Sequence, residues 1–471
     1  MGRGQPLLSH AGPSRRRVAG TALGGWPGPA ASGNDVERGL EAALRRTRVT
    51  FADNMDEPVH RWFRFPAGFS ARLVRDVMEA LGVGRGMLVL DPFTGSGTTN
   101  VVCKSLGIES VGVERHPLLA WVARVKTYWE FDVGYLRGAI ERILERARAE
   151  APLRARELLG EVRSRPELLR KVFGEEVLAQ LYAIKEVVEE VEDEHVRDFS
   201  MLALVSALRD ATDVDVGWPY VLPRRKRRKG AVPPVEAFAR RLLLQYSDLR
   251  EVLSRLDGGI PRATIYEEDS RELTRFMEPD SVDFAFTSPP YLNNYDYADR
   301  TRLELYFLGW ASSWSEISEK VRKKLVVSCT HQVRELGLPE GLQPSEDIEE
   351  GVREELARKA QELRAIKRRR GGRKDYDIMV VAYFNDMARH VAEMYRVLKD
   401  GAYYVMILGD SAPYGVHIPT DEYLARIARH VGFREARVFV LRERGRRWRH
   451  LVESGRRHGV QLRESLVLLR K

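Results

Sequence analysis

The chain has 471 residues, with 77 Lys and Arg against 68 Asp and Glu, a net charge of +9 at pH 7. That excess suits a polyanionic partner without naming one. Cys103 and Cys329 are the two cysteines; neither sits in a Cys-x-x-Cys or Cys/His cluster, which excludes a disulfide framework and a zinc module, so no metal is expected. No uninterrupted apolar span is long enough to cross a bilayer, and a cytoplasmic protein with no membrane partner is expected.

Residues 1–33 are rich in Gly, Pro, Ala and Arg without apolar period, and read as a disordered basic tail. Residues 34–131 contain an aromatic segment, Phe65-Pro66-Ala67-Gly68-Phe69. A helix follows whose apolar face includes Leu73, Val74, Val77, Met78 and Leu81. Met87–Asp91 is an apolar strand running into Pro92-Phe93-Thr94-Gly95-Ser96-Gly97-Thr98-Thr99 and a helix from Asn100 to Leu106. Gly95 and Gly97 allow φ > 0 and close approach of a ligand to the backbone at a helix N-terminus. The next apolar strand ends in Glu114, 19 residues after Gly95, the spacing at which an acid takes ribose hydroxyls in dinucleotide folds. No Gly-Lys-Ser/Thr follows, which argues against an NTPase loop.

Residues 132–256 read as a helical insertion, from spacings such as Leu178, Leu181, Ile184, Val188 and Val191. It carries a basic loop, Arg224-Arg225-Lys226-Arg227-Arg228-Lys229, for which a polyanion is the natural partner. The sheet pattern resumes over residues 257–311: a third strand, Ala263–Tyr266, leads into Asp269-Ser270, with Ser270 capping the next helix. A fourth strand, Val282–Phe286, stops at Ser288-Pro289-Pro290-Tyr291. Two prolines make a rigid, extended strand-end loop that can offer oxygen acceptors and an aromatic face to a flat polar heterocycle. Arg300–Trp310 reads as a helix. Residues 312–374 form a second, charged insertion with the basic run Lys367-Arg368-Arg369-Arg370 before a glycine hinge. Residues 375–471 supply a helix from Tyr383, a fifth strand Ala402–Leu408, a helix Ile418–Val431, and a terminal strand pair, Val438–Leu441 and Ser465–Leu469, around an arginine-rich loop.

Asp91-Pro-Phe-Thr-Gly-Ser-Gly-Thr-Thr99 together with Thr287-Ser-Pro-Pro-Tyr291 resembles the amino-methylating nucleic-acid methyltransferases that use S-adenosylmethionine, the N4-cytosine/N6-adenine DNA methylase family. The Ser-Pro-Pro-Tyr form looks like the cytosine-N4 branch. The resemblance implies an α/β class I methyltransferase with a Rossmann-like seven-stranded sheet and two helical insertions. In it, residues 34–131 would be the cofactor half, residues 257–311 the part bearing the catalytic loop, and residues 375–471 the rest of the sheet. It implies that Phe65, Asp91, Phe93, Gly95, Gly97, Thr98, Glu114, Asp269 and Ser270 hold S-adenosylmethionine. Ser288, Pro289, Pro290 and Tyr291 would engage the target amine. The two basic runs would grip the nucleic-acid backbone. DNA is the favoured polymer, with N4-cytidine methylation of RNA and N6-adenine methylation of DNA as alternatives. A nicotinamide oxidoreductase shares the first strand, turn and acid but leaves Ser-Pro-Pro-Tyr unexplained. A non-catalytic nucleic-acid binder would need a dead cofactor site.

Overall fold

Four short apolar runs, each ended by a turn, become parallel strands because both their faces are covered. The computed structural model describes residues 33–46, 51–215, 222–226, 230–443 and 461–471. Its strands are β1 (Leu88–Asp91), β2 (Glu109–Val113), β3 (Val214–Asp215), β4 (Leu222–Lys226), β5 (Ala263–Tyr266), β6 (Val282–Thr287), β7 (Leu398–Gly409), β8 (Glu435–Glu443) and β9 (Arg463–Arg470). Seven of them make one sheet in the order β5-β2-β1-β6-β7-β9-β8. β5, β2, β1, β6 and β7 are mutually parallel, and β9 runs antiparallel to both neighbours. This is the seven-stranded Rossmann-like arrangement of class I methyltransferases. The strand order reverses between β1 and β6, so a crevice opens over their carboxyl ends. The acid inside the β6 run is neutralised in place: Asp283 accepts from the Leu88 amide at 2.8 Å and from Lys399 Nζ at 2.5 Å.

The helices Val133–Leu158, Glu175–Glu189, Glu194–Ala207 and Pro234–Ser254 bury a core continuous with that of Pro117–Thr127 and Arg302–Leu308. Asp248, fully buried on Pro234–Ser254, ties this layer to the segment before the first strand. It pairs with Arg61 Nη2 at 2.6 Å and accepts from Trp62 Nε1 at 3.0 Å and the Val59 amide at 3.1 Å. Val59 needs that anchor. Its φ of 64° is costly for a β-branched residue.

Several local expectations are corrected. Arg224, Arg225 and Lys226 are not loop residues; they lie on β4, paired with β3 in a two-stranded hairpin. Arg227, Arg228 and Lys229 lie outside the described residues, as do the basic tail up to residue 32 and most of the arginine-rich loop. Lys367–Arg370 is the last turn of the helix Glu350–Arg370, ended by Gly371 in the left-handed region; cations there complement the helix dipole. The cap after β5 is Asp269, which accepts from the Arg271 amide, while Ser270 is the first residue of the turn. The expected helix from Arg300 splits into Tyr297–Arg300 and Arg302–Leu308. The helix expected from Tyr383 begins at Tyr376, because Ile378 to Val381 are buried on every side and give no period to read.

Candidate active site

An open cleft of about 800 Å³, solvent at its mouth included, lies over the carboxyl ends of β1, β2, β5 and β6. Its floor is the turn Pro92–Ser96 with Thr98, and one wall is the aromatic segment from Phe65 to Phe69. Glu114, Arg115 and His116 enter after β2, Glu268 to Ser270 after β5, and Ser288, Pro290 and Tyr297 after β6. Lys324 to Val326 close the rim.

The turn holds its shape through the acid of the neighbouring strand. Gly95, at φ 52°, donates its amide to Glu114 Oε2 at 2.8 Å, and the His116 amide donates to Glu114 Oε1 at 2.8 Å. Burial pushes the Glu114 carboxyl up to about 7 against those two donors. Gly97, at φ 84°, answers a packing demand: an added Cβ would stand 3.2 Å from Ala123 Cα. It is not part of the cleft lining, nor is Asp91. Asp91 is fully buried behind the turn, accepting from Thr287 Oγ1 at 2.6 Å and the Phe93 amide at 3.1 Å, and burial raises it to about 6. This pair joins the end of β1 to the end of β6.

On the far wall, burial would raise Asp269, but the Arg271 guanidinium beside it (Nη2 at 2.6 Å) outweighs that and holds it below the usual carboxylate range. Arg271 is itself braced by Asp386 at 2.8 Å. Three groups at the cleft were not singled out in the sequence. His390, buried and pushed down to about 4 by burial, bonds the Ser270 carbonyl at 3.1 Å and stacks obliquely on Phe93 at 4.6 Å. Lys126, fully buried and lowered to about 7 by burial, donates to the Ser96 carbonyl at 2.9 Å. His116, lowered to about 3 by burial, bonds Thr301 Oγ1 at 2.7 Å. Only His116 had a local signal, standing two residues after the acid that ends β2.

The Pro-Pro loop presents its groups unequally. Ser288 Oγ donates to the Ile407 carbonyl at 3.0 Å, and Pro289 is buried beneath it. Tyr291 is half-buried, its amide donating to Tyr297 Oη at 3.2 Å and its hydroxyl to Glu464 Oε1 at 2.8 Å. Cys329, isolated along the sequence, stands close to Asp296 and His331. Arg322 Nε, at 2.9 Å from Asp296, already neutralises that acid, so a second cation there would be repelled by a like charge. The run Lys367–Arg370 is not part of the cleft lining. Lys367 is paired with Asp375, whereas Arg368, Arg369 and Arg370 are exposed.

Residues 27–120 match the N6/N4 methyltransferase family model, described as DNA methylase. Over that segment this chain is similar to the family. The matched segment holds the aromatic wall, the glycine turn and Glu114, and the likeness to such methylases runs well beyond it. The type II methyltransferase M.BsoBI of Geobacillus stearothermophilus is 27% identical over 91% of this chain and 88% of its own length. M.AvaI of Nostoc sp. is 25% identical, with 85% and 84% covered. M.MvaI of Kocuria varians is 22% identical, with 79% and 82% covered. The solved rRNA methyltransferase aviRa from Streptomyces viridochromogenes covers 87% of this chain and 88% of its own at 11% identity, with a TM-score of 0.29, too loose to bear on substrate. Among the described residues no helix is long and apolar enough to cross a membrane.

Proposed function

We propose that this methylase transfers the methyl group of S-adenosylmethionine to the exocyclic N4 amine of cytosine in DNA. The observation that carries the reading is the commitment of the Ser288 proton to Ile407 at the lip of the cleft. A hydroxyl whose proton is engaged has its two lone pairs left as acceptors, which suits an amine donor. Pro289 adds a carbonyl and no competing N–H. Two acceptors draw both amine hydrogens and favour a pyramidal nitrogen whose lone pair points to the methyl. Tyr291 supplies the stacking face. In a duplex the base reaches such a loop only after leaving the stack.

The cleft fits the cofactor by its own chemistry. Glu114 offers carboxylate oxygens to ribose hydroxyls, and Gly95 leaves open backbone, the nearest atom to an added Cβ being Phe65 Cε1 at 3.8 Å. Phe65 and Phe93 give apolar faces; Thr98, Asp269 and Ser270 give polar ones. Bound there, S-adenosylmethionine supplies an electrophilic methyl and departs as a neutral thioether. The amine nitrogen gains the carbon, and its proton passes to water. The family match and the type II relatives favour DNA over RNA, and Ser288 before Pro-Pro-Tyr favours cytosine over adenine.

The test is transfer from labelled cofactor to unmodified genomic DNA and to unmodified ribosomal RNA, followed by nucleoside mass spectrometry. N4-methyldeoxycytidine is expected. N6-methyldeoxyadenosine would move the target base, and label confined to RNA would move the polymer.

A further inference from the structure

Tyr291 is held from a direction that its own loop does not supply. Its hydroxyl reaches across the end of β7 to Glu464 on β9, a residue paired in register with Gly409. The second oxygen of Glu464 accepts from Arg442 Nε on β8 at 2.5 Å. The carboxylate is 8% exposed and the arginine 47% exposed, so the acid is enclosed between a half-buried aromatic partner and a surface cation. With the Tyr291 amide on Tyr297, the residue is fixed at its backbone and at its hydroxyl tip. A tyrosine retained only by its backbone keeps its ring free about χ1 and χ2; one retained at both ends has a single ring plane.

We infer that Glu464 is a positioning residue for the methyl-transfer reaction: through the Tyr291 hydroxyl it sets the ring plane on which the target base stacks, and Arg442 holds it in place. The inference rests on the proposed role of Tyr291 at the target base. The carboxylate touches neither base nor cofactor. Its effect reaches the reaction as base orientation, and a misplacement of about 1 Å at a reacting amine is enough to cost on the order of a hundredfold in rate. Arg442 closes the arrangement, because an enclosed acid left without its cation is penalised.

The experiment is a double-mutant cycle in the full-length protein, with unmodified genomic DNA and labelled S-adenosylmethionine as probes. Tyr291→Phe removes only the hydroxyl and Glu464→Ala removes only the anchor. Each is expected to lower kcat about tenfold with the cofactor Kd unchanged. The double variant should be no slower than the worse single one, the non-additivity of two groups acting as a unit. Glu464→Gln, which retains an acceptor, should recover most of the rate. Native kcat in Tyr291→Phe, which keeps the packing and folds independently of the Glu464 changes, overturns the inference, as do multiplicative losses in the double variant. Native protein that methylates no DNA at all fails the functional reading instead, so the two failures are separable.

Discussion

Glu114 Oε2 accepts the Gly95 amide at 2.8 Å, so the acid that ends β2 clamps the glycine turn that ends β1. The carboxyl is buried and raised from 4.5 to about 7. A raised carboxyl contributes stability that is complete below its unfolded value and lost as pH rises through its folded value. The cofactor-free protein should therefore lose about 3 kcal/mol from this group between pH 4.5 and 7. Glu114→Gln should remove that part of the slope in thermal melts, and an unchanged slope would remove Glu114 as its source.

Ribose hydroxyls need an ionised acceptor, so cofactor affinity should rise with pH through about 7 as Glu114 loses its proton. Glu114→Ala should weaken S-adenosylmethionine binding by about 1–3 kcal/mol and flatten the profile. Calorimetry across pH 6–8 checks both. Native affinity in the variant would take the ribose role away from this acid.

Ser288→Ala and Tyr291→Ala should lower methyl transfer by about a hundredfold or more while cofactor affinity changes by less than about twofold, because both residues serve base placement rather than the cofactor. A folded Tyr291→Ala protein that no longer binds the cofactor would reassign the loop.

Arg368, Arg369 and Arg370 end a helix at the surface. Replacing all three with Gln should weaken DNA binding alike for all sequences and reduce the salt slope by about one for each phosphate no longer neutralised. Fluorescence titrations from low to moderate salt provide the measure. An unaltered slope would return the turn to solvent.

Asp248 has four donors and no exposure. Asp248→Ala leaves Arg61 half-enclosed without its partner and releases the strained Val59, which should cost about 3–5 kcal/mol in chemical denaturation. A loss under about 1 kcal/mol would show that the helical layer is held by its apolar core alone.

The sequence alone determined the sheet and the turn. Leu88 to Leu90 and, Asp283 apart, Val282 to Phe286 are apolar because both faces of a central parallel strand are covered. Pro289-Pro290, Gly95 and Gly97 declare their geometry by residue type, since backbone freedom is a local property. Period failed where burial was complete, as at Ile378 to Val381, and a run of cations did not reveal the helix end at Lys367 or the hairpin strand at Arg224. What only the tertiary structure decided are the pairs that close through space. Tyr291 meets Glu464 across 173 residues, and Val59 meets Asp248 across 189. A carboxylate at the start of the last strand gives no sign of burial until the fold sets it against a tyrosine. Lys126 meets the Ser96 carbonyl of the glycine turn across 30 residues. Hydrogen-bond partners and desolvation depend on which chain segments the sheet order brings together, and spacing along one segment carries no record of that.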